Sequence, residues 1–211
     1  MADGAVYEGR LEDAVEILNK GIAADIENKS NYRAADKSLI LAQAYLAQGK
    51  NRQAVEAADE AIKLNNREEL LFATAQVYLD AGQEERARTI AGDLSKRVQD
   101  VHQAYAKLIG GYLSFKRGDT SNAIKCFDEA QAFVDTWLGR FALGRAYLEA
   151  RAFTEAYAEF EKCEKRKGEA LSVFLNDLPS IRYLDTLEYY KGRAQEGLGK
   201  KEAAKESYQK I

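Results

Sequence analysis

A glycine followed five residues later by an alanine recurs along most of this 211-residue chain. The pairs are Gly9/Ala14, Gly49/Ala54, Gly82/Ala87, Gly118/Ala123 and Gly199/Ala204, while Arg151/Ala156 keeps only the alanine. Ala54 and Ala87 are 33 residues apart, and so are Ala123 and Ala156. A helix-rich repeat with a period of about 34 residues is typical of stacked helix–turn–helix units. The sequence therefore predicts an array of helical hairpins.

Each position of this frame has a steric reason. Glycine adopts the left-handed conformation that ends a helix, because it has no Cβ atom to clash. The alanine lets the second helix of a hairpin approach the first closely. Packing residues follow it by four and seven positions, as Phe127 and Ala130 do, and these offsets share one helical face. Small residues also stand seven positions before the frame glycine or its equivalent: Ala42, Ala75, Gly111, Gly144 and Gly192.

This pattern resembles the tetratricopeptide repeat (TPR) family over nearly the whole chain. The shared signature is a small residue at position eight, tyrosine at eleven, glycine at fifteen, alanine at twenty and an aromatic residue at twenty-four. Tyr45, Tyr78 and Tyr147 hold the eleventh position. The family's usual proline between units is missing, and its bulky fourth residue is kept at Leu71 but not at Ser38. The resemblance implies an all-α fold, a right-handed superhelical solenoid of TPR hairpins.

We expect one array over residues 1–211, with its parts in a fixed order. These are a partial repeat at 1–21, repeats at about 35–67, 68–101, 104–136 and 137–168, an insertion at 168–184 and a last repeat at 185–211. The insertion contains the only proline, Pro179, among many apolar residues. It either packs on the preceding second helix or forms a patch for a partner or a dimer. The incomplete first repeat favours a segment of a larger protein or an end closed by self-association.

Charge and hydropathy restrict the kind of partner. The net charge of −3 is too small to indicate a nucleic-acid or membrane partner. No apolar run approaches the roughly 20 residues of a membrane span, and the first residues do not have the pattern of a signal peptide. We therefore expect a cytoplasmic protein. The run from Gly192 to Gly199 is similar to TPR arrays attached to bacterial signalling kinases and regulators, which suggests a bacterial protein.

The chain lacks the residue clusters of catalytic and metal sites. His102 is the only histidine, and Cys126 and Cys163 show no CxxC spacing. Glycine-rich phosphate-binding motifs are absent as well. We expect no metal, no cofactor and no enzymatic activity, and we interpret both thiols as buried or half-buried structural residues.

The resemblance implies a concave groove lined by positions two, five, nine and twelve of each first helix. The predicted groove residues are Leu39, Gln43, Phe72, Gln76, Tyr105, Leu108, Tyr112, Phe141, Arg145, Tyr189 and Arg193. Some family members clamp the carboxylates of a C-terminal tail with lysine and asparagine at positions five and nine of the first unit. Leu39 and Gln43 stand there in this chain, which disfavours a C-terminal dicarboxylate ligand.

Aromatic residues flanked by Arg145 and Arg193 have the composition of an interface hot spot. Their rings either line the groove or pack between adjacent first helices, and packing is the expected role of Phe115. The predicted function is a protein–protein interaction scaffold whose groove binds an apolar, aromatic-tolerant peptide or helix of a partner. The alternative is a structural homodimer module that uses the open repeat ends or the 168–184 insertion.

Overall fold

The computed structural model describes residue 5 and residues 9–171 and 184–211. These residues contain twelve α-helices and no strand. The chain divides into two compact units, Met1–Leu94 and Ser95–Ile211. Helix–turn–helix units build both of them, which confirms the predicted all-α class. The expectation that residues 1–211 form one continuous array applies across both units, and it stays a prediction.

Unit one contains one long helix followed by two hairpins. Its helices are α1 (Leu11–Glu27), α2 (Asn31–Ala47), α3 (Asn51–Leu64), α4 (Glu68–Asp80) and α5 (Glu84–Ser95), the last of which ends at the boundary between the units. Each of α1, α2 and α3 packs on the next helix, and the first helices α2 and α4 also touch. Neighbouring hairpins are therefore in contact through their first helices.

Unit two contains three hairpins and one short extra helix. Its helices are α6 (Asp100–Lys116), α7 (Thr120–Phe133), α8 (Trp137–Glu149), α9 (Phe153–Lys165), α10 (Lys167–Leu171), α11 (Leu184–Gly197) and α12 (Lys201–Tyr208). The first helices α6, α8 and α11 touch in sequence. Helix α10 opens the predicted insertion. Residues 172–183 lie outside the described residues, so both interpretations of the insertion stay open.

The frame glycines end helices or turns as predicted. Gly9, Gly49, Gly82, Gly118 and Gly199 all have φ between 71° and 80°. The residue after each donates its N–H to the carbonyl five residues back, as Lys50 does to Tyr45 at 2.9 Å. Arg151 takes the same left-handed conformation at φ 59°, although it is not a glycine. The steric origin of the repeat frame is confirmed.

In unit two, helix pairs approach each other where a glycine of the first helix meets a ring of the second. A Cβ atom on Gly144 would lie 2.6 Å from the Phe160 ring, and Gly111 stands in the same relation to Phe127. These contacts are closer than any real Cβ atom makes, so only glycine fits. The frame alanines are equally necessary, because Ala123 and Ala156 are fully buried between the helices.

Polar side chains cap the starts of two helices in unit two. The Asp119 carboxylate accepts a hydrogen bond from the Asn122 N–H at 3.2 Å. Thr136 Oγ1 accepts from the Gly139 N–H at 3.0 Å. Both satisfy a backbone donor that would otherwise lack a partner at the helix start. Among the described residues, no helix has the length and apolar character to cross a membrane.

Candidate functional site

The predicted groove residues of unit one offer little apolar surface. Leu39 and Phe72 are buried, whereas Gln43 and Gln76 are half-buried. Their apolar members therefore belong to the interior, and only the two amides of position nine reach the surface. An exposed apolar groove through Leu39 and Phe72 is not found in this unit.

Phe141 of unit two is also an interior residue. Its ring stacks on Trp137 at a centroid distance of 5.4 Å and meets the Phe160 ring at 6.1 Å. The Phe141 side chain is only 1% exposed. Of the two interpretations left open by the sequence, packing is the one that describes this ring. Tyr105 and Leu108 are likewise buried.

The remaining predicted residues of unit two reach the surface. Tyr112 is half-buried, with the edge of its ring against Phe127 at 5.2 Å. Arg145 is half-buried, Arg193 is exposed and Tyr189 is 42% exposed. These four residues come from three successive first helices of one unit. They form the accessible part of the predicted site.

Arg145 lies between two rings from neighbouring first helices. Its guanidinium carbon is 5.4 Å from the centroid of Phe115 on α6 and 5.2 Å from that of Tyr190 on α11. Both distances fall within the range of cation–π attraction. The arginine thus connects the first helices of all three hairpins in unit two.

Tyr190 continues the arrangement towards Tyr189 and Arg193. The rings of Tyr190 and Tyr189 meet edge to face at 5.3 Å, and the Arg193 guanidinium lies 6.0 Å from the Tyr189 ring centroid. We call the set Phe115, Arg145, Tyr190, Tyr189 and Arg193 the arginine–aromatic row. Sequence reasoning missed Tyr190 because position six was not counted among the groove positions. Phe115, expected only to pack, has a half-buried ring beside Arg145.

A cavity of about 220 Å³ opens beside Arg145. It is lined by Phe115, Gly118, Thr120, Arg145, Glu149 and Tyr190. Two aromatic rings together with a cation, an anion and a hydroxyl are the composition of a site that orients one polar side chain.

Two groups near the α11 side of this surface have raised pKa values. The pKa of Arg193 is raised, first by its hydrogen bond to Tyr189, with a further contribution from the negative charge of Glu149. Burial and donation to the Glu196 carboxylate at 2.7 Å raise the pKa of Tyr208 to about 12. Arg193 and Tyr208 therefore keep their protons at neutral pH.

The two cysteine thiols are buried or half-buried within the helical hairpins. Burial raises the pKa of the Cys163 thiol to about 12, and its Sγ lies 3.7 Å from the Trp137 carbonyl oxygen. Cys126 is half-buried, so the predicted burial of both thiols is confirmed. Within the described ranges, no three His, Cys, Asp or Glu side chains group to hold a metal ion. The absence of an enzymatic activity stays a prediction.

Two segments of the chain match the tetratricopeptide repeat family, residues 38–68 and residues 185–211. No curated protein matches the sequence. Solved structures do match the fold. A tetratricopeptide repeat protein from Parabacteroides merdae matches with a TM-score of 0.62 and 16% identity, over 99% of this chain and 74% of that one.

Two further solved structures also match the fold of this chain. A chain of the APC/C hetero-tetramer Cut9–Hcn1 matches with a TM-score of 0.62 and 13% identity, over 99% of this chain and 44% of that one. The TPR-like repeats of a kinesin light chain from Podospora anserina match with a TM-score of 0.52 and 17% identity, over 82% and 90%. At these identities, the likeness establishes the fold.

The fold and the two matched segments define a helical repeat protein that is built from helix–turn–helix hairpins. Two of its segments match tetratricopeptide repeats, and its fold is the all-α repeat fold of tetratricopeptide repeat proteins. Repeats of this family generally mediate protein–protein interaction or scaffolding. The predicted links to bacterial signalling proteins and to the cytoplasm stay predictions.

Proposed function

We propose that this chain is a protein–protein interaction scaffold, and that the first helices of unit two bind a peptide or helix of a partner. The observation that supports this most strongly is the arginine–aromatic row. Five large side chains from α6, α8 and α11 stand side by side on this face, and none of the five is fully buried. Tyrosine and arginine are the residues enriched at the centres of binding interfaces.

The buried apolar residues of the predicted groove support the first helices from below and do not contact a partner in this proposal. Leu108 and Phe141 are buried, so they fix the positions of the first helices. A partner would touch the accessible members Tyr112, Arg145, Tyr189 and Arg193, together with Tyr190. Because the underlying hairpins are packed before binding, the surface loses little conformational entropy when a ligand binds.

The test uses two aromatic residues of equal exposure. Peptides are selected by display against the full chain, and their affinities are measured for Tyr189→Ala and Phe133→Ala. Tyr189 is 42% exposed on the first helix α11, and Phe133 is 40% exposed on the second helix α7. We expect Tyr189→Ala to weaken binding about tenfold or more and Phe133→Ala to leave it unchanged. Equal losses, or a loss only with Phe133→Ala, would exclude this face as the site.

A second candidate function is self-association through the last hairpin. A cavity of about 530 Å³ lies on this hairpin and is lined by Glu196, Lys201, Ala204, Lys205, Tyr208 and Gln209. Ile211, which follows α12, is 62% exposed. A mass that falls on dilution from twice 23.6 kDa would support the dimer, and a constant 23.6 kDa mass would exclude it.

A further inference from the structure

Two arginines of unit one lie over a ring and also pair with a carboxylate. Arg67 lies 4.0 Å from the Tyr32 ring centroid, and its Nε atom lies 2.7 Å from a Glu69 oxygen. Arg86 lies over Tyr78 and pairs with Asp59. In these two places a ring contacts one face of the guanidinium, and a carboxylate forms an ion pair with it.

Arginines of unit two that are away from the row follow the same rule. Arg140 donates from Nε to an Asp135 oxygen at 2.6 Å and from Nη1 to a Glu159 oxygen at 2.9 Å. Arg166 donates to the same Asp135 oxygen at 2.7 Å. Carboxylates are therefore the usual partners of half-buried guanidinium groups in this unit, as expected for charge-assisted pairs.

Arg145 departs from this rule. Between Phe115 and Tyr190 it makes ring contacts, but it forms no hydrogen bond and no ion pair with any residue in the described part of the chain. A guanidinium has five N–H donors and no acceptor, so its unpaired edge requires an anion or water. Arg145 is one of the residues that line the cavity of about 220 Å³.

Glu149 is the acidic residue of the cavity, one helical turn after Arg145. It is not within ion-pair distance of Arg145, and its negative charge acts on Arg193 of the next helix. No carboxylate in the described part of the chain therefore forms an ion pair with Arg145. At about 30 Å³ per water molecule, the cavity has the volume of roughly seven waters, which is enough for an acidic side chain and some solvent.

We propose that the cavity beside Arg145 binds the side-chain carboxylate of an aspartate or glutamate in the partner segment. The site uses charge complementarity, with the Phe115 and Tyr190 rings holding the guanidinium in place. The row continues beyond the cavity to Tyr189 and Arg193, so a segment can extend past it, and an internal side chain fits better than a chain end. This inference rests on the proposed function, since the segment must first bind to the face.

The test uses the full ¹⁵N-labelled chain and three degenerate nonapeptide mixtures. Two mixtures are acetylated and amidated and carry a fixed central glutamate or glutamine. The third carries the central glutamine and a free C-terminal carboxylate. The readout is the Nε–H signal of Arg145, which is assigned by its loss in Arg145→Gln. We expect the glutamate mixture to shift this signal at about fivefold lower concentration than either glutamine mixture.

Two variants control for charge and for folding. Arg151→Gln removes the same charge at an exposed turn of the same unit, and we expect it to keep the glutamate preference. Glu149→Gln removes the nearby negative charge, and we expect it to strengthen binding of the glutamate mixture. An unchanged or weaker response of Glu149→Gln would count against a carboxylate in this cavity.

The outcomes separate this inference from the function on which it rests. If all three mixtures shift the backbone signals of Tyr189 and Arg193 equally, the face binds peptides and the carboxylate site is wrong. A preference for the free C-terminus would likewise overturn the side-chain assignment. If no mixture shifts any signal of α6, α8 or α11 at millimolar concentration, the proposed function itself fails.

Discussion

Gly192 lies directly under the ring of Tyr208, and a Cβ atom at Gly192 would be 2.5 Å from Tyr208 Cε1. The same relation joins Gly144 to Phe160 and Gly111 to Phe127. The equivalent pairs of unit one are Ala42/Ala58 and Ala75/Ala91. A larger residue on the second helix is thus matched by a smaller one on the first. This exchange of volume holds the two helices of each hairpin at a short distance.

Two adjacent glycines of α6 should respond in opposite directions to alanine. Gly111→Ala inserts a methyl group into the Phe127 ring, and we expect a loss of about 1–3 kcal/mol in the free energy of unfolding. At Gly110 a Cβ would meet only Cys126 Sγ at 3.9 Å, so Gly110→Ala should gain about 0.5–1 kcal/mol from helix propensity. Urea denaturation measures both. A gain for Gly111→Ala would show that the contact is not tight.

The close contact also predicts coupling between Gly144 and Phe160. Phe160→Ala alone should cost about 3–5 kcal/mol because a fully buried ring is removed. In that background Gly144→Ala should cost nothing or restore some stability, since the methyl group then fills part of the cavity. A double-mutant cycle measures this, and additive losses would contradict the steric account.

Arg151 occupies a backbone conformation that favours glycine. Its φ of 59° is close to the 78° of Gly118, which holds the equivalent turn one hairpin earlier. We expect Arg151→Gly to raise the free energy of unfolding by up to about 1 kcal/mol, and Gly118→Ala to lower it by about the same amount. Thermal unfolding of the two variants checks the pair. A lower midpoint for Arg151→Gly would mean that the side chain stabilises the turn by contacts that outweigh the strain.

Acid should weaken the junction between α9 and α11 through Glu164. Burial alone would raise the pKa of this carboxyl, but the hydrogen bond and charge of Lys191, with Lys167 and Lys210 nearby, lower it below the ordinary 4.5. A lowered pKa contributes stability above pH 4.5, and that contribution is lost as the pH falls through the folded value. We expect Lys191→Met to reduce this acid-dependent loss, by less than about 1 kcal/mol.

The control for this prediction is Lys165, a lysine that is not among those lowering the pKa of Glu164. Lys165→Met changes an exposed residue near the end of α9, and its unfolding free energy should keep the pH dependence of the original chain below pH 4.5. The measurement is urea denaturation at a series of pH values. Identical slopes for Lys191→Met and the original chain would contradict the assigned role of Lys191.

The hairpin frame could be predicted from sequence because each of its positions has a local cause. Glycine at Gly118 or Gly199 is required by the backbone angle, and alanine at Ala123 by the distance between two helices. Such requirements act within one hairpin and repeat with its period. They do not depend on how hairpins are placed against one another.

The exposure of a ring does depend on its neighbours, and this is where sequence reasoning failed. Phe141 and Tyr189 occupy the same repeat position, yet Phe141 is 1% exposed and Tyr189 is 42% exposed. Trp137, Phe160 and Tyr190 surround Phe141 within the unit. Tyr190 is one residue from the predicted Tyr189 but lies against Arg145, a contact that no pattern of spacing within one helix reveals.

The two cysteines should differ in reactivity. The Cys163 thiol is fully buried and its pKa is raised to about 12, whereas Cys126 is half-buried. Alkylation by iodoacetamide at pH 8 should therefore modify Cys126 in the folded protein and reach Cys163 only after unfolding. Mass spectrometry of the digested protein gives both rates. Rapid modification of Cys163 without denaturant would show that the second helix of this hairpin opens easily.

The most direct measurement is to map a display-selected peptide on the ¹⁵N-labelled chain by chemical shift. The account predicts that the largest changes fall on the first helices of unit two, at Phe115, Arg145, Tyr189, Tyr190 and Arg193. Smaller changes are expected at buried Phe141, which supports the row. Changes confined to α7, α9 and α12, with the row unaffected, would contradict the proposal that the first-helix face is the binding surface.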